Sequence, residues 1–284
     1  MSDFAMSQTV TRFAPSPTGR LHLGHAYSAL YAEAMARAAG GRFLLRIEDI
    51  DRTRCRPEFE ADILDDLDWL GLAWEPTVRR QSDHLADYRA ALAQLLKQET
   101  VYPCFCTRRE IQREIERAGG APQGGEGLFY PGTCRHLSVD VRNARMDAGD
   151  TYAIRLDAAA AAAFTGPLTF VDRSYGEINV NPSLLGDVVL GRKDIGTSYH
   201  IAVTVDDALQ AVSCVTRGED LLESTHVHRL LQRLLGLPEP DYAHHRLLVN
   251  AEGQRLAKRD KAVTIRSLRA SGQSAAEVRA AVGF

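Results

Sequence analysis

The tetrapeptide His22-Leu23-Gly24-His25 follows a turn of two prolines and a glycine, Ala14-Pro15-Ser16-Pro17-Thr18-Gly19. It opens a stretch of helical periodicity. A helix N-terminus presents unpaired backbone N–H groups and partial positive charge, so it favours phosphate. Two imidazoles three residues apart, on one side of the first turn, can both donate to phosphate oxygens. Gly24 has no side chain and lets a flat base approach the backbone. Taken alone, the pair could equally be two surface histidines beside a turn. A second constellation is Cys104-Phe105-Cys106 with Cys134, and Tyr130 four residues before Cys134. A C-x-C pair with a later cysteine suits tetrahedral zinc, although three free thiols in a core would look the same. Third, residues 255–269 hold six bases (Arg255, Lys258, Arg259, Lys261, Arg266, Arg269) and one acid, Asp260.

The elements that must position these groups follow from periodicity. Gln8 to Phe13 is β-prone, and the Pro/Gly turn ends it. From His22 a helix is expected, with Leu23, Tyr27, Leu30, Tyr31 and Ala34 recurring at helical spacing and Gly40-Gly41 stopping it. Arg42 to Ile47 reads as a buried strand. A strand-helix-strand unit of this length implies a parallel α/β sheet. Pro57 to Leu70 is an acidic amphipathic helix and Asp83 to Gln98 another. Its acid run (Glu58, Glu60, Asp62, Asp65, Asp66, Asp68) reads as a solvated face. From Tyr102 to about Leu190 the texture changes, with three of the five cysteines, a Gly-rich tip at 119–127 and an alanine tract at 158–163. This reads as an insertion with its own small fold. The α/β texture then returns, with Leu221 to Leu235 an amphipathic helix ending at Gly236.

Composition narrows the class. The chain has 284 residues, 45% hydrophobic, with a net charge of −3. That is ordinary for a globular protein and excludes collagenous, coiled-coil, disordered and histone-like chains. No apolar run reaches the ~18 residues of a membrane span, and the start carries no signal-peptide pattern. Five cysteines suit a reducing compartment, so a cytoplasmic location is expected, with no membrane partner. His84, His226, His228, His244 and His245 read as surface or satisfied core residues. Cys55 and Cys214 have no metal spacing.

The motifs also occur in a familiar order. Arg12-Phe13-Ala14-Pro15-Ser16-Pro17-Thr18-Gly19 followed by Leu21-His22-Leu23-Gly24-His25 resembles the signature of class I aminoacyl-tRNA synthetases, in the glutamyl version. Glutaminyl enzymes typically carry an acidic residue where Ser16 stands. Arg46-Ile47-Glu48-Asp49-Ile50-Asp51, Val205-Asp206-Asp207 and Thr216-Arg217-Gly218-Glu219-Asp220-Leu221 resemble later parts of that family. Arg255-Leu256-Ala257-Lys258-Arg259 resembles its second ATP-binding loop, with Ala257 and Arg255 departing from the usual serine and lysine. Only 26 residues follow Lys258, where full-length glutamyl enzymes carry two helical anticodon-reading domains. The chain therefore resembles the short paralogue family, the glutamyl-queuosine tRNA(Asp) synthetases. Val203 agrees, being apolar where full-length enzymes usually carry asparagine.

The resemblance implies an α/β fold: a class I Rossmann-type parallel sheet with helices on both faces, formed by 1–101 and 191–240. It implies an inserted zinc-containing subdomain at 102–190, a C-terminal segment at 241–284 with the second ATP loop, and no anticodon-binding domain. The implied activity is ATP-dependent formation of glutamyl-adenylate, with Mg²⁺ accompanying ATP, and transfer of L-glutamate to the queuosine base of tRNA(Asp) by a monomer. His22, His25 and Lys258 would be catalytic, and Thr18 and Gly24 would join them in binding ATP. Arg12 and Arg217 would face substrate carboxylate, since a guanidinium holds it bidentately. Glu48 would accept from the α-ammonium, with Phe13, Ala14, Pro15, Ser16 and Tyr199 lining the pocket. Glu48 as a strand-end salt-bridge partner and Arg217 as an interdomain ion pair are the plainer readings. Arg12→Leu is expected to abolish glutamate activation and spare the fold. The family's zinc set corresponds to Cys104, Cys106, Tyr130 and Cys134, with His136 a rival fourth ligand. Two alternative functions stand beside this one: a truncated glutamyl-tRNA synthetase charging a tRNA 3′ end, and a non-catalytic RNA-binding paralogue.

Overall fold

The computed structural model describes residues 8–117, 123–124, 127–128, 130–248 and 263–284. The first part of the chain forms β1 (Val10–Phe13), α1 (Leu23–Ala38), β2 (Arg42–Ile47), α2 (Pro57–Trp69), β3 (Arg79–Arg80) and α3 (Leu85–Lys97). Then come β4 (Val101–Cys104), α4 (Arg108–Arg117), β5 (Gln123–Gly124), β6 (Gly127–Leu128), α5 (Val139–Asp147), β7 (Ala153–Leu156), α6 (Ala158–Thr165), β8 (Thr169–Asp172), β9 (Gly176–Asn179) and β10 (Val189–Gly191). The last described elements are α7 (Tyr199–Leu209), β11 (Cys214–Gly218), α8 (Leu222–Leu235), β12 (Asp241–His245), α9 (Ile265–Ala270) and α10 (Ala275–Ala281).

β1 pairs in parallel with β2, and β2 with β3. β11 pairs in parallel with β12. The two ladders meet where Ser213 N–H donates to the Val10 carbonyl at 3.0 Å and Val10 N–H donates to Ser213 Oγ at 2.9 Å. The strands therefore run β3-β2-β1 and then β11-β12, so the order reverses between β1 and β11. Alternation along β2 buries both faces. Phe43, Leu45 and Ile47 pack with α1 and α2, while Leu44 packs with Val10, Val215 and Tyr242. That is the pattern of a parallel sheet covered on each side. α1 sits close to the sheet because its inner face is small, with Ala26, Ala29, Ala32 and Ala36 all buried. A further core joins α3, α7 and α8 through Tyr88, Ile201, Leu230 and Leu231.

Segment 102–190 contributes to three sheets, the smallest being the antiparallel pair β5-β6. β4, β7 and β10 form an antiparallel sheet beside α3. β8 instead pairs in parallel with β12, Tyr242 opposite Asp172, and β9 pairs antiparallel with β8. The alanine tract is α6, capped by Asp157 and packed on α8 through Ala158 and Ala161. α2 departs from a simple solvated face. Asp66 is buried, and Asp62 and Asp65 bond to Arg266 and Arg269 of α9. Those two arginines belong to a helix rather than to the basic loop. Lys258, Arg255, Ala257, Arg259 and Lys261 lie outside the described residues, as does most of the tip at 119–127. No helix among the described residues is long and apolar enough to cross a membrane.

Candidate active site

In an open α/β sheet the crevice at the carboxyl ends of the strands, where strand order reverses, is the natural ligand site. Here a cavity of about 570 Å³ opens at that place. Arg12, Phe13, Ala14, Pro15 and Ser16 reach it from the end of β1, and His22, Gly24 and His25 from the mouth of α1. Glu48 enters from the end of β2, Tyr199 from the start of α7 and Arg217 from β11. Eleven of the residues singled out from sequence thus line one cavity. Thr18 lies in the preceding turn, its N–H bonded to the Ser16 carbonyl, and is off the lining.

His22 is the N-cap of α1. Its Nδ1 accepts from Gly24 N–H at 3.1 Å, and His25 Nδ1 accepts from His22 N–H at 3.3 Å. The two imidazoles form a reciprocal capping box, a role more often filled by Ser and Glu. Their rings stack with centroids 3.8 Å apart. Because each Nδ1 accepts, the neutral rings carry hydrogen on Nε2. Two parallel donors are thereby fixed beside the positive end of the helix. A Cβ on residue 24 would lie 3.0 Å from His22 Cε1. Gly24 therefore makes room for the imidazole as well as for a ligand.

Arg12 is not an unattached cation. Its Nε and Nη2 donate to the two carboxylate oxygens of Asp207 at 2.9 and 3.3 Å, and Nη1 donates to the Thr216 carbonyl. Arg46, fully buried, donates to Asp207 at 2.7 Å and to Glu48 at 3.2 Å. Burial pushes the Asp207 carboxyl up, but Arg12 and Arg46 outweigh it and hold it at about 2. Burial raises Glu48, against the pull of Arg46 and Arg12. Asp206, its neighbour in sequence, takes Arg79, Gln81 and Tyr88. Arg12 lines the cavity as expected, with its fork engaged by Asp207 and the Thr216 carbonyl. Glu48 does pair with Arg46, as the plainer reading had it, and still lines the cavity.

Arg217 is held differently. Only 6% exposed, it donates from Nε to His244 Nε2 at 3.1 Å, and from Nη1 to His228 Nδ1 at 3.0 Å and to Tyr199 Oη at 3.4 Å. Its Nη2 bonds to Thr225 Oγ1. Among the described residues it forms no ion pair. Burial, with Arg217 beside them, depresses His200 and His244 to about 4 and His228 well below its usual range. These imidazoles stay neutral and act as acceptors. A buried guanidinium bounded by neutral groups and open to a cavity suits a ligand carboxylate. Gly218, next in the strand, has no room for a side chain. A Cβ there would meet Asp220 Oδ1 at 2.5 Å and Leu247 Cδ2 at 2.9 Å.

Reading His228, His244 and His245 as satisfied core residues was incomplete. The first two grip Arg217, and His245 lines the cavity. Asp207 was also missed as a partner. Its signal was an acidic pair, Asp206-Asp207, continuing directly from the apolar run Ile201–Val205 on a buried helix.

A separate cluster lies in segment 102–190. The Sγ atoms of Cys104, Cys106 and Cys134 fall within 4.8 Å of one another, with Cys106 and Cys134 3.4 Å apart. Tetrahedral thiolates at a Zn–S distance of about 2.3 Å would be about 3.8 Å apart, so the three sulfurs need little movement. Tyr130 Oη is 3.4 Å from Cys106 Sγ and accepts from Cys134 N–H at 2.8 Å. Arg155 lies over the Tyr130 ring at 3.9 Å, while burial and the neighbouring thiols push the Tyr130 phenol up. His136 is exposed and outside the cluster. Between the two rival fourth ligands, the fold brings Tyr130 to the thiols. The donor set fits zinc.

Fold and cavity together are those of a class I synthetase catalytic domain. Residues 8–282 match the family described as tRNA synthetases class I (E and Q), catalytic domain. A glutamyl-Q tRNA(Asp) synthetase of Rhodobacter capsulatus is 50% identical, covering 97% of this chain and 100% of its own length. A glutamate–tRNA ligase of Aquifex aeolicus is 38% identical over 94% of this chain, which spans 55% of that enzyme. The crystal structure of a glutamate tRNA ligase from Elizabethkingia meningosepticum superposes with a TM-score of 0.76 at 32% identity, covering 89% of this chain and 52% of that one. The chain belongs to the class I tRNA synthetases of the glutamate and glutamine type, and within them to the glutamyl-Q tRNA(Asp) synthetase family.

Proposed function

We propose that the chain activates L-glutamate with ATP and transfers it to the queuosine base in the anticodon loop of tRNA(Asp). The observation that carries this reading is a single cavity joining the imidazole pair at the α1 mouth to a buried arginine that forms no ion pair among the described residues. In the first step the glutamate α-carboxylate attacks the α-phosphate of ATP. A P–O bond forms, and the bond to pyrophosphate breaks. A carboxylate is already ionised, so no general base is needed. Charge grows on the phosphate oxygens, and catalysis rests on positioning and electrostatic stabilisation. His22 and His25 supply Nε2 donors for that charge, with Lys258 from the second ATP loop adding a cation. Mg²⁺ accompanies the nucleotide. Arg217 receives the side-chain carboxylate of glutamate, and Glu48 accepts from its ammonium. Arg12 shapes the pocket through Asp207.

In the second step a hydroxyl of the queuosine cyclopentene ring attacks the adenylate carbonyl, and AMP leaves. Zinc held by Cys104, Cys106, Cys134 and Tyr130 would staple segment 102–190 without entering the chemistry. Glutamate-dependent exchange of pyrophosphate into ATP, without tRNA, tests the first step. Arg217→Gln should abolish it while leaving ATP binding intact. Transfer to tRNA(Asp) with and without queuosine tests the second. Periodate-sensitive charging of a 3′ end would replace that acceptor by the one used in longer relatives.

A further inference from the structure

Asp172 belongs to β8, in the segment that also carries the cysteine cluster, yet it reaches the substrate cavity through one intermediary. Its Oδ2 accepts from His244 Nδ1 at 2.6 Å and from His244 N–H at 3.2 Å. Its Oδ1 accepts the N–H groups of Ser174 and Tyr175 at 2.8 and 3.1 Å. His244 Nε2 in turn accepts from Arg217 Nε. A parallel branch runs from Arg217 through His228 Nδ1, and His228 Nε2 lies 3.1 Å from His200 Nδ1. Asp172, His228 and His244 are all nine-tenths buried or more.

This chain fixes tautomers. An imidazole that accepts from Arg217 at Nε2 must carry its hydrogen on Nδ1, and Asp172 is the group that accepts it. Arg12, Arg46 and Arg229 bond directly to carboxylates. Among the described residues, Arg217 meets its compensating charge across an imidazole ring. A carboxylate in direct contact would hold the guanidinium and compete with a substrate carboxylate for it. Displaced by one ring, the charge lowers the cost of burying Arg217, and among the described residues only neutral acceptors, which a ligand carboxylate can outbid, hold its N–H groups.

Resting on the proposal that Arg217 binds the glutamate side chain, we infer that Asp172 and His244 are positioning residues, through which segment 102–190 sets affinity for the substrate's side-chain carboxylate.

Asp172→Asn tests this. An amide turned either way sets an N–H against backbone or imidazole donors. With its NH2 toward His244, the amide drives that ring to the other tautomer, which opposes the Arg217 N–H; with its NH2 toward the Ser174 and Tyr175 N–H groups, it breaks the turn that holds residue 172 against His244. In pyrophosphate exchange the KM for glutamate should rise by about 10- to 100-fold, with kcat and the KM for ATP within about threefold of wild type. Should that variant fail to fold, His244 supplies a second contrast. His244→Gln keeps an acceptor near the Nε2 position and should raise the glutamate KM less than His244→Leu, which should raise it about tenfold. Wild-type protein inactive in glutamate-dependent exchange would refute the proposed function. Active wild type, with an unchanged glutamate KM in folded Asp172→Asn, or with His244→Leu equal to His244→Gln, would overturn the positioning role alone.

Discussion

Arg12 and Asp207, 195 positions apart in the chain, form a two-point ion pair beneath the floor of the cavity. Arg46 meets the same carboxylate from β2, so charge ties α7 to both strands, and Arg12 Nη1 also donates to the Thr216 carbonyl of β11 where the strand order reverses.

Arg12→Leu should therefore destabilise the protein, contrary to the expectation from sequence that it would spare the fold. It leaves Asp207 buried with half of its compensation, at a cost of about 3 kcal/mol. Urea unfolding of the variant measures this, and Asp207→Leu added to it should recover part of the loss. An unfolding midpoint equal to wild type would mean the pair contributes nothing.

His22 combines two roles that substitution can separate. His22→Asn keeps a side-chain acceptor at the N-cap and should leave stability unchanged, since asparagine is among the best caps. It removes the Nε2 donor and should slow pyrophosphate exchange by about 100- to 1000-fold. His22→Ala should lose the same rate and about 1 kcal/mol of stability as well. Full exchange activity in His22→Asn would show that the imidazole does not touch phosphate.

Purified protein should contain about one zinc per chain. Tyr130→Phe should weaken retention by about 10-fold or more, whereas His136→Ala should leave it unchanged. Elemental analysis after dialysis against a chelator reads both. Equal retention by Tyr130→Phe and wild type would remove the phenol from the ligand set.

Stability should fall as pH drops from about 6.5 to about 4. His200 and His244 are held at about 4 by burial and by Arg217, and the same causes hold His228 well below its ordinary range. Burial lowers His226 and His245 too. A folded-state value below the unfolded one means that the unfolded chain binds protons first, so acid favours unfolding. Asp66, raised to about 6 by burial and by Asp62 and Asp65, works in the opposite direction, as does Glu48, raised by burial. The histidines outnumber them. Asp207 adds stability that is present above about pH 4 and lost as pH falls toward about 2. Urea midpoints that stay constant between about pH 7 and about pH 5 would contradict the neutral histidine cage.

Much was legible from local pattern. The Pro/Gly turn, the histidine cap and the strand after Gly40-Gly41 are set by backbone preferences acting over a few residues. The helix stop at Gly236 and the C-x-C pair are just as local. The ordered motifs then identified the residues of the cavity, because segments that approach one ligand carry recognisable side chains at fixed spacing. What stayed hidden was how charge is partitioned. Arg12 and Arg217 look alike in sequence, each a basic residue at a β-strand. Only topology assigns Asp207 to the first and neutral imidazoles, backed by Asp172, to the second. A buried cation takes whichever acceptor the packed chain brings within about 3 Å. Spacing along the sequence cannot state that this is a carboxylate 195 positions away for one arginine and an imidazole 27 positions away for the other. Tyr130 rather than His136 faces the thiols for the same reason, because the folded segment decides which side chain turns toward them.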